Sequence, residues 1–400
     1  MKDHQHKDYA LLVLSEISGT RASCFRQEKI VRVYLKNNIE VIVVDNSFIP
    51  AKIYQFTDIT GFDKFRDDIR AIKQSPPSIR EGTVIKVMRW LKHKLLFDIT
   101  HPLQWISFIM TRAKLARLKQ LPLKYCVGSS PSVTTLVWAR LLGKTFKADN
   151  ILLDFRDEWA YHPWLPASHN RLKTRIEKWL MKPSSTCSVS GYISNNMEKR
   201  TGGKVYTVYN GPDINFKRSE TVSLGNHEKL VITYTGSIPP GSVDVQGAKA
   251  MVEAVVNTYP NVLFRFIGAC AVLKDIMPPV KGSIEYVEHM PLQEVRLRQQ
   301  ESGALLFMGA DFPENGGIVS AKIFEYLQTK KPILPLFIHK NSDIHHIISS
   351  ACNSCPSLFT PADITALLSK SFDDLPRLEN EDFILGLNTS IEKFFLEGKV

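Results

Sequence analysis

Short, nearly continuous apolar runs alternate along this chain with longer stretches in which apolar positions return about every three to four residues. A continuous run of strand length fits a strand covered on both faces, and the longer period is that of an amphipathic helix. In the first half the runs fall at Tyr9–Leu14, Glu40–Asp45, Tyr125–Val127, Ile151–Leu153, Thr186–Val189 and Val205–Tyr209. In the second half they fall at Leu230–Thr235, Leu263–Ile267, Ile284–Val287, Ala304–Met308 and Pro332–Phe337. The turn Ser15–Arg21 opens a helix that extends to about Lys36, and Asp382–Leu396 reads as a final helix. This rhythm predicts parallel sheets with helices on both faces, and it starts afresh after residue 211. The expected fold class is α/β, with two Rossmann-like doubly wound domains, 1–211 and 212–380, facing an interdomain cleft. Ligands of such sheets sit outside the carboxyl ends of the strands.

Composition agrees with two domains. With 44% hydrophobic and 10% aromatic residues among 400, each half can bury a core. No apolar run reaches the roughly 18 residues of a membrane-spanning helix. Residues 1–8 are too polar for a signal peptide, which predicts a cytosolic location. The six cysteines are dispersed, against a disulfide framework, and Cys352-Asn353-Ser354-Cys355 lacks the second ligand pair of a zinc site. Charge changes the picture more. Residues 1–200 hold 33 Lys+Arg against 18 Asp+Glu, a net of +15, whereas residues 201–400 hold 18 against 22, a net of −4. The basic half implies an anionic contact: an anionic membrane surface, a phosphate-bearing acceptor or nucleic acid. Nucleic acid is the weakest of these, because no recognition motif accompanies the charge.

The most chemically suggestive stretch is Glu314-Asn315-Gly316-Gly317-Ile318-Val319-Ser320-Ala321-Lys322-Ile323-Phe324-Glu325-Tyr326-Leu327, followed by Lys331-Pro332-Ile333-Leu334. A glycine pair opens a helix, an acid follows about two turns later, and a Pro-led apolar strand comes next. Amides at a helix start, here near Gly316, Gly317, Ile318 and Ser320, attract phosphate. Glycine lets the backbone approach closely, Lys322 can act as a point charge, and the Glu325 carboxylate can accept hydrogen bonds from ribose hydroxyls. That is the requirement of a nucleoside-diphosphate site.

This stretch resembles the donor-binding signature of family 4 glycosyltransferases, retaining enzymes of the GT-B fold. Three others fall in the order that family requires. Tyr125–Ser132 with Leu153-Asp154-Phe155-Arg156-Asp157-Glu158-Trp159 resembles its serine-proline turn and D-F-R-D-x-W motif. Val208-Tyr209-Asn210-Gly211-Pro212-Asp213 resembles the interdomain junction, and Ile232–Ile238 the first strand and loop of the donor domain. The resemblance implies a nucleotide-diphosphate sugar as donor substrate, with a UDP-sugar ahead of a GDP-sugar, and a saccharide or lipid-linked acceptor. It also implies bacterial surface polysaccharide or glycoconjugate synthesis as the setting. No cofactor and no essential metal are implied. A C-terminal helix of about 381–400 is expected to pack back on the first domain.

The resemblance assigns Glu325 to the ribose, and Gly236, Ser237, Gly316, Gly317, Ile318 and Ser320 to the phosphates and sugar. Lys322 and Asp157 join Glu325 as catalytic candidates, Gly19 and Arg21 border the donor phosphates, and His289 lies by the base. Two positions depart from the pattern: Gly317 stands where many members carry an acid, and Ser237–Asp244 holds no Lys or Arg to neutralise a diphosphate. Backbone amides, Lys322 or an arginine would have to compensate. Asp154, Arg156 and Asp157 read equally as an internal salt-bridge cluster or an acceptor site. His162 is a lone loop histidine. The basic, apolar segment Val84–Gln120 reads either as an interfacial helix against anionic lipid or as a helix packed on a sheet with its outer face solvated.

Overall fold

The computed structural model describes residues 7–15, 17, 22–72, 102–161, 170–213, 230–238, 243–268, 271–277, 282–309, 319–368 and 375–400. The chain divides into two compact units, Met1–Tyr209 with Thr389–Val400, and Asn210–Asn388.

The first unit runs β1 (Tyr9–Leu14), α1 (Ala22–Lys36), β2 (Glu40–Asp45), β3 (Lys52–Phe56), α2 (Ile59–Ile72) and α3 (Pro102–Lys114). A 3₁₀ turn (Ala116–Gln120), β4 (Leu123–Ser129), α4 (Val133–Thr145), β5 (Asn150–Phe155), α5 (Asn170–Met181), β6 (Ser185–Ser188), α6 (Gly191–Thr201) and β7 (Tyr206–Thr207) complete it. The strands lie in the order β3-β2-β1-β4-β5-β6-β7. All neighbours are parallel except β2 and β3. Successive residues of a strand point to opposite faces. Leu11 and Val13 of β1 join one core with Ile42, Trp138 and Leu153, whereas Ala10, Leu12 and Leu14 join another with Tyr34, Val43 and Val127. Both faces are covered, so β1 and the middle of β2, residues 41–44, are nearly continuous apolar runs. The antiparallel β3 was not expected. The link from Asn46 to Ala51 is too short for a parallel crossover, which needs about a dozen residues, so the chain turns back along β2.

The second unit runs β8 (Leu230–Thr235), α7 (Val245–Thr258), β9 (Val262–Ile267), α8 (Ala271–Ile276), β10 (Ile284–Val287), α9 (Leu292–Glu301) and β11 (Ala304–Met308). Then follow α10 (Lys322–Thr329), β12 (Ile333–Leu336), α11 (Asp343–Cys352), α12 (Pro361–Leu368) and α13 (Glu381–Glu397). Its five strands are parallel in the order β10-β9-β8-β11-β12, so the winding direction reverses between β8 and β11. Side-chain caps set helix starts: the Asp244 carboxylate accepts from Gly247 N–H and the Ser342 hydroxyl from His345 N–H.

The units part after Tyr209, two residues before the expected boundary, because 210–213 is held by the second unit. The Gln328 side chain donates to the Asp213 carbonyl at 2.9 Å and accepts from its N–H at 3.2 Å, and Asn388 reaches the Pro212 carbonyl. The division also falls within α13. Its first turns stay with the second unit, while Ile391, Phe394 and Phe395 are buried in the core of the first. The Tyr34 and Tyr125 hydroxyls donate to the Phe395 and Leu396 carbonyls at 2.7 and 2.9 Å.

Candidate functional site

The switch point of the second unit gathers the carboxyl ends of β8 and β11, where doubly wound sheets place their ligands. There Gly236 takes φ +104°, a conformation that side chains resist, and its N–H donates to the Ile267 carbonyl at 2.8 Å. A Cβ on Gly236 would stand 2.6 Å from Lys322 Cε. Glycine is therefore required twice, by the backbone and by the lysine crossing it. The Lys322 ammonium lies 2.6 Å from the Tyr234 hydroxyl, 3.3 Å from the Ser237 carbonyl and 4.3 Å from the Tyr234 ring centroid. The turn that lacks a basic residue in sequence thus receives one from α10.

On α10, Lys322, Glu325 and Gln328 follow at intervals of three and share one side, while Ile323, Phe324, Tyr326 and Leu327 are buried. Burial pushes the Glu325 carboxyl above the ordinary carboxylate range; Arg296 and Lys322 oppose that shift, Asp213 adds to it, and a hydrogen bond from Gln299 favours the ionised form. Arg296 also pairs with Asp213 at 2.5 Å. Behind this group, Thr235 donates its N–H to Tyr326 Oη at 3.0 Å, the buried Gln299 amide donates to Thr235 Oγ1 at 3.0 Å, and Ser302 bonds Thr233 at 2.6 Å. Those buried bonds fix α9 and α10 against β8. The result is a cationic turn beside a partly desolvated carboxylate that can accept hydroxyl donors.

The first unit has its own cluster at the ends of β4, β5 and β6. Arg26 of α1 grips Asp154 in bidentate fashion at 2.8 and 2.9 Å, both side chains being fully buried, and Ser129 Oγ donates to Asp154 at 2.7 Å. Arg26 also donates to the Tyr209 carbonyl at 3.3 Å. Arg156 holds Ser130, its N–H donating to Ser130 Oγ at 2.8 Å and its guanidinium to the Ser130 carbonyl at 3.2 Å. Past β5, Arg200 pairs with Glu158 at 2.5 Å and Glu177 at 2.8 Å, while Glu177 accepts from Ala160 N–H. Of the motif's charged groups, Asp154 is an internal ion-pair member, and Asp157 is exposed at the strand end next to Arg156.

Several expected residues meet in the second unit: Gly236, Ser237, Lys322 and Glu325 form one group, with Ser320 preceding α10. His289 is exposed just after β10, at the sheet edge. Gly19, Arg21, His162, Gly316, Gly317 and Ile318 lie outside the described residues. One expectation is corrected. The helix does not open at the glycine pair; α10 starts at Lys322, so Glu325 lies in its first turn rather than two turns in. Val319 and Ser320 are not helical, and the first bonds run from Ile323 N–H to the Ser320 carbonyl and from Phe324 N–H to the Ala321 carbonyl. Arg296, Gln299, Gln328 and Tyr234 were not anticipated. Tyr234 lies two residues before Gly236 and Gln328 three after Glu325, a spacing that could have found them, whereas Arg296 and Gln299 come from α9, which no motif connects to the site.

Two Rossmann-like, doubly wound parallel sheets in one chain define the two-domain α/β architecture of GT-B proteins. No family model and no curated protein matches the chain. Among solved structures, Anabaena HepE in complex with UDP and glucose shares the fold with a TM-score of 0.56 at 10% identity, covering 96% of this chain and 94% of that one. The UDP-GlcNAc 2-epimerase from Neisseria meningitidis bound to UDP-GlcNAc gives 0.51 at 14% identity, covering 97% and 100%. At these identities the likeness is one of fold.

Proposed function

We propose that the chain is a retaining glycosyltransferase of family 4 type. It moves a hexosyl or N-acetylhexosaminyl group from a nucleoside diphosphate to a saccharide or lipid-linked acceptor in surface polysaccharide or glycoconjugate synthesis. The observation that carries the reading is the Lys322 ammonium seated over the Gly236–Ser237 turn, with Glu325 on the same side of α10, at the switch point of a doubly wound sheet. A leaving diphosphate gains negative charge in the transition state, and a preorganised ammonium stabilises it most there. Glu325 accepts the ribose hydroxyls. In a front-face reaction the bond from the anomeric carbon to the phosphate oxygen breaks while the acceptor oxygen bonds on the same face. The acceptor proton passes to the leaving phosphate oxygen, so no protein base is required. Asp157, exposed at the end of β5, is assigned to the acceptor hydroxyls. UDP is favoured as carrier, supported by the uridine nucleotides in the two proteins of similar fold.

Calorimetric titration with UDP, GDP, ADP, CMP and dTDP, with Glu325→Ala as control, tests the donor site. One nucleotide is expected to bind and to be weakened by the substitution; no binding by any of them overturns the reading in favour of a non-catalytic role. A sugar-nucleotide epimerase or hydrolase is the second reading, favoured by the full-length fold likeness to the UDP-GlcNAc 2-epimerase. Turnover of UDP-sugar without any acceptor distinguishes it.

A further inference from the structure

Helix α3 buries one side and carries an apolar stripe on the other. Its inner side packs into the first unit, with Phe108 edge-on to Trp138 at 5.3 Å and Ser107 and Thr111 buried beside it. Its outer side carries Ile106, Ile109 and Met110, which are 52%, 65% and 43% exposed. They follow at helical spacing, so they form one stripe rather than scattered surface residues. A helix packed on a sheet ordinarily turns a polar side to water; this one does not.

Within α3 and the turn that follows it the charges have one sign. Arg112 and Lys114 close α3, Arg117 and Lys119 stand in the next turn, and no acid occurs from Pro102 to Gln120. Arg117 donates to the neutral Gln55 side chain at 3.0 Å, and among the described residues no ion pair is formed by it. Apolar side chains flanked by lysine and arginine match the boundary between acyl chains and anionic headgroups. A second copy of the chain would bring the same positive patch against itself, which like charges oppose.

We propose that the outer side of α3 docks this protein on an anionic lipid bilayer, with Ile106, Ile109 and Met110 entering the headgroup–acyl boundary and the basic residues meeting lipid phosphates. The inference stands on the surface of the first unit and does not depend on the donor site. Flotation of the full chain with vesicles of phosphatidylcholine alone, or mixed with phosphatidylglycerol, tests it. Recovery is expected with the mixed vesicles only and is lost in high salt. Arg112→Glu with Lys114→Glu lowers the apparent partition constant by about tenfold or more. Ile106→Ser with Ile109→Ser abolishes recovery while, these positions being exposed, leaving the melting temperature unchanged. Quenching of Trp105 by brominated phosphatidylglycerol, taken as the difference from Trp105→Phe, locates the contact without altering the stripe. Absence of flotation with either vesicle overturns the proposal. So does flotation unaffected by both double variants, or sedimentation showing a dimer that Ile109→Ser dissolves in a protein that binds no vesicle.

Discussion

Glu325 shows how one residue exchanges stability for a ligand. Its carboxyl is raised chiefly by burial, so the folded chain holds the proton more firmly than the unfolded chain. The ionised group therefore costs stability at neutral pH, and that cost is relieved as pH falls through the raised value, down to the ordinary 4.5. Glu325→Gln is expected to keep or raise the melting temperature while weakening UDP binding by about tenfold or more, the usual scale for a hydrogen bond to a charged group. Differential scanning calorimetry and titration check the pair. Affinity for UDP should also fall on acidification from a higher pH than an ordinary glutamate would give, and Glu325→Gln should remove that dependence. Lys322→Met separates phosphate from nucleoside recognition: UDP should lose about tenfold, while uridine, which carries no phosphate, should bind as before. Gly236→Ala meets both a positive φ and the Lys322 stem, and should cost about 1–3 kcal/mol in urea unfolding.

At the scale of elements, Arg26 ties α1 to β5 through a fully buried ion pair. Burial alone would raise the Asp154 carboxyl, but the Arg26 guanidinium and the Ser129 hydroxyl outweigh it and hold the group below its ordinary value. The stabilisation this gives is present above the unfolded value of 3.8 and is lost as pH falls through the lower folded value. Arg26→Met leaves Asp154 buried without its counter-ion and should cost about 3–5 kcal/mol, measured as a shift of the urea midpoint at neutral pH. Elements also differ in how far they could be read from sequence. Strands such as β1, β2, β8, β10 and β11 are legible to the residue, because each is built around a short run of mainly apolar positions and all but β10 are almost wholly buried. Strand β3, at the sheet edge, mixes the exposed Lys52 and Gln55 with half-buried Ile53 and Tyr54 and gives no such run. The glycine pair reads as the opening of a helix, but glycine is a weak helix former and α10 begins only at Lys322.

At the scale of the whole molecule, α13 joins the two units in one covalent element: its beginning belongs to the second and its end fills the core of the first. Phe394 and Phe395 are fully buried there. Phe394→Ala should cost about 3–5 kcal/mol, and two-domain melting should show the loss in the first unit while UDP binding in the second survives. The two doubly wound sheets, the basic first half and the motif that carries Lys322 and Glu325 are legible in the amino-acid order, because apolar periodicity and local spacing are properties of neighbouring residues. That Lys322 serves the turn after β8, that Arg296 pairs with Asp213 and acts on Glu325, and that Asp154 is an internal ion-pair member while Asp157 faces solvent follow from packing in three dimensions. These facts depend on the adjacency of β8 and β11, and of α1 and β5. Chain folding creates that adjacency between residues far apart in sequence, and no local pattern encodes it.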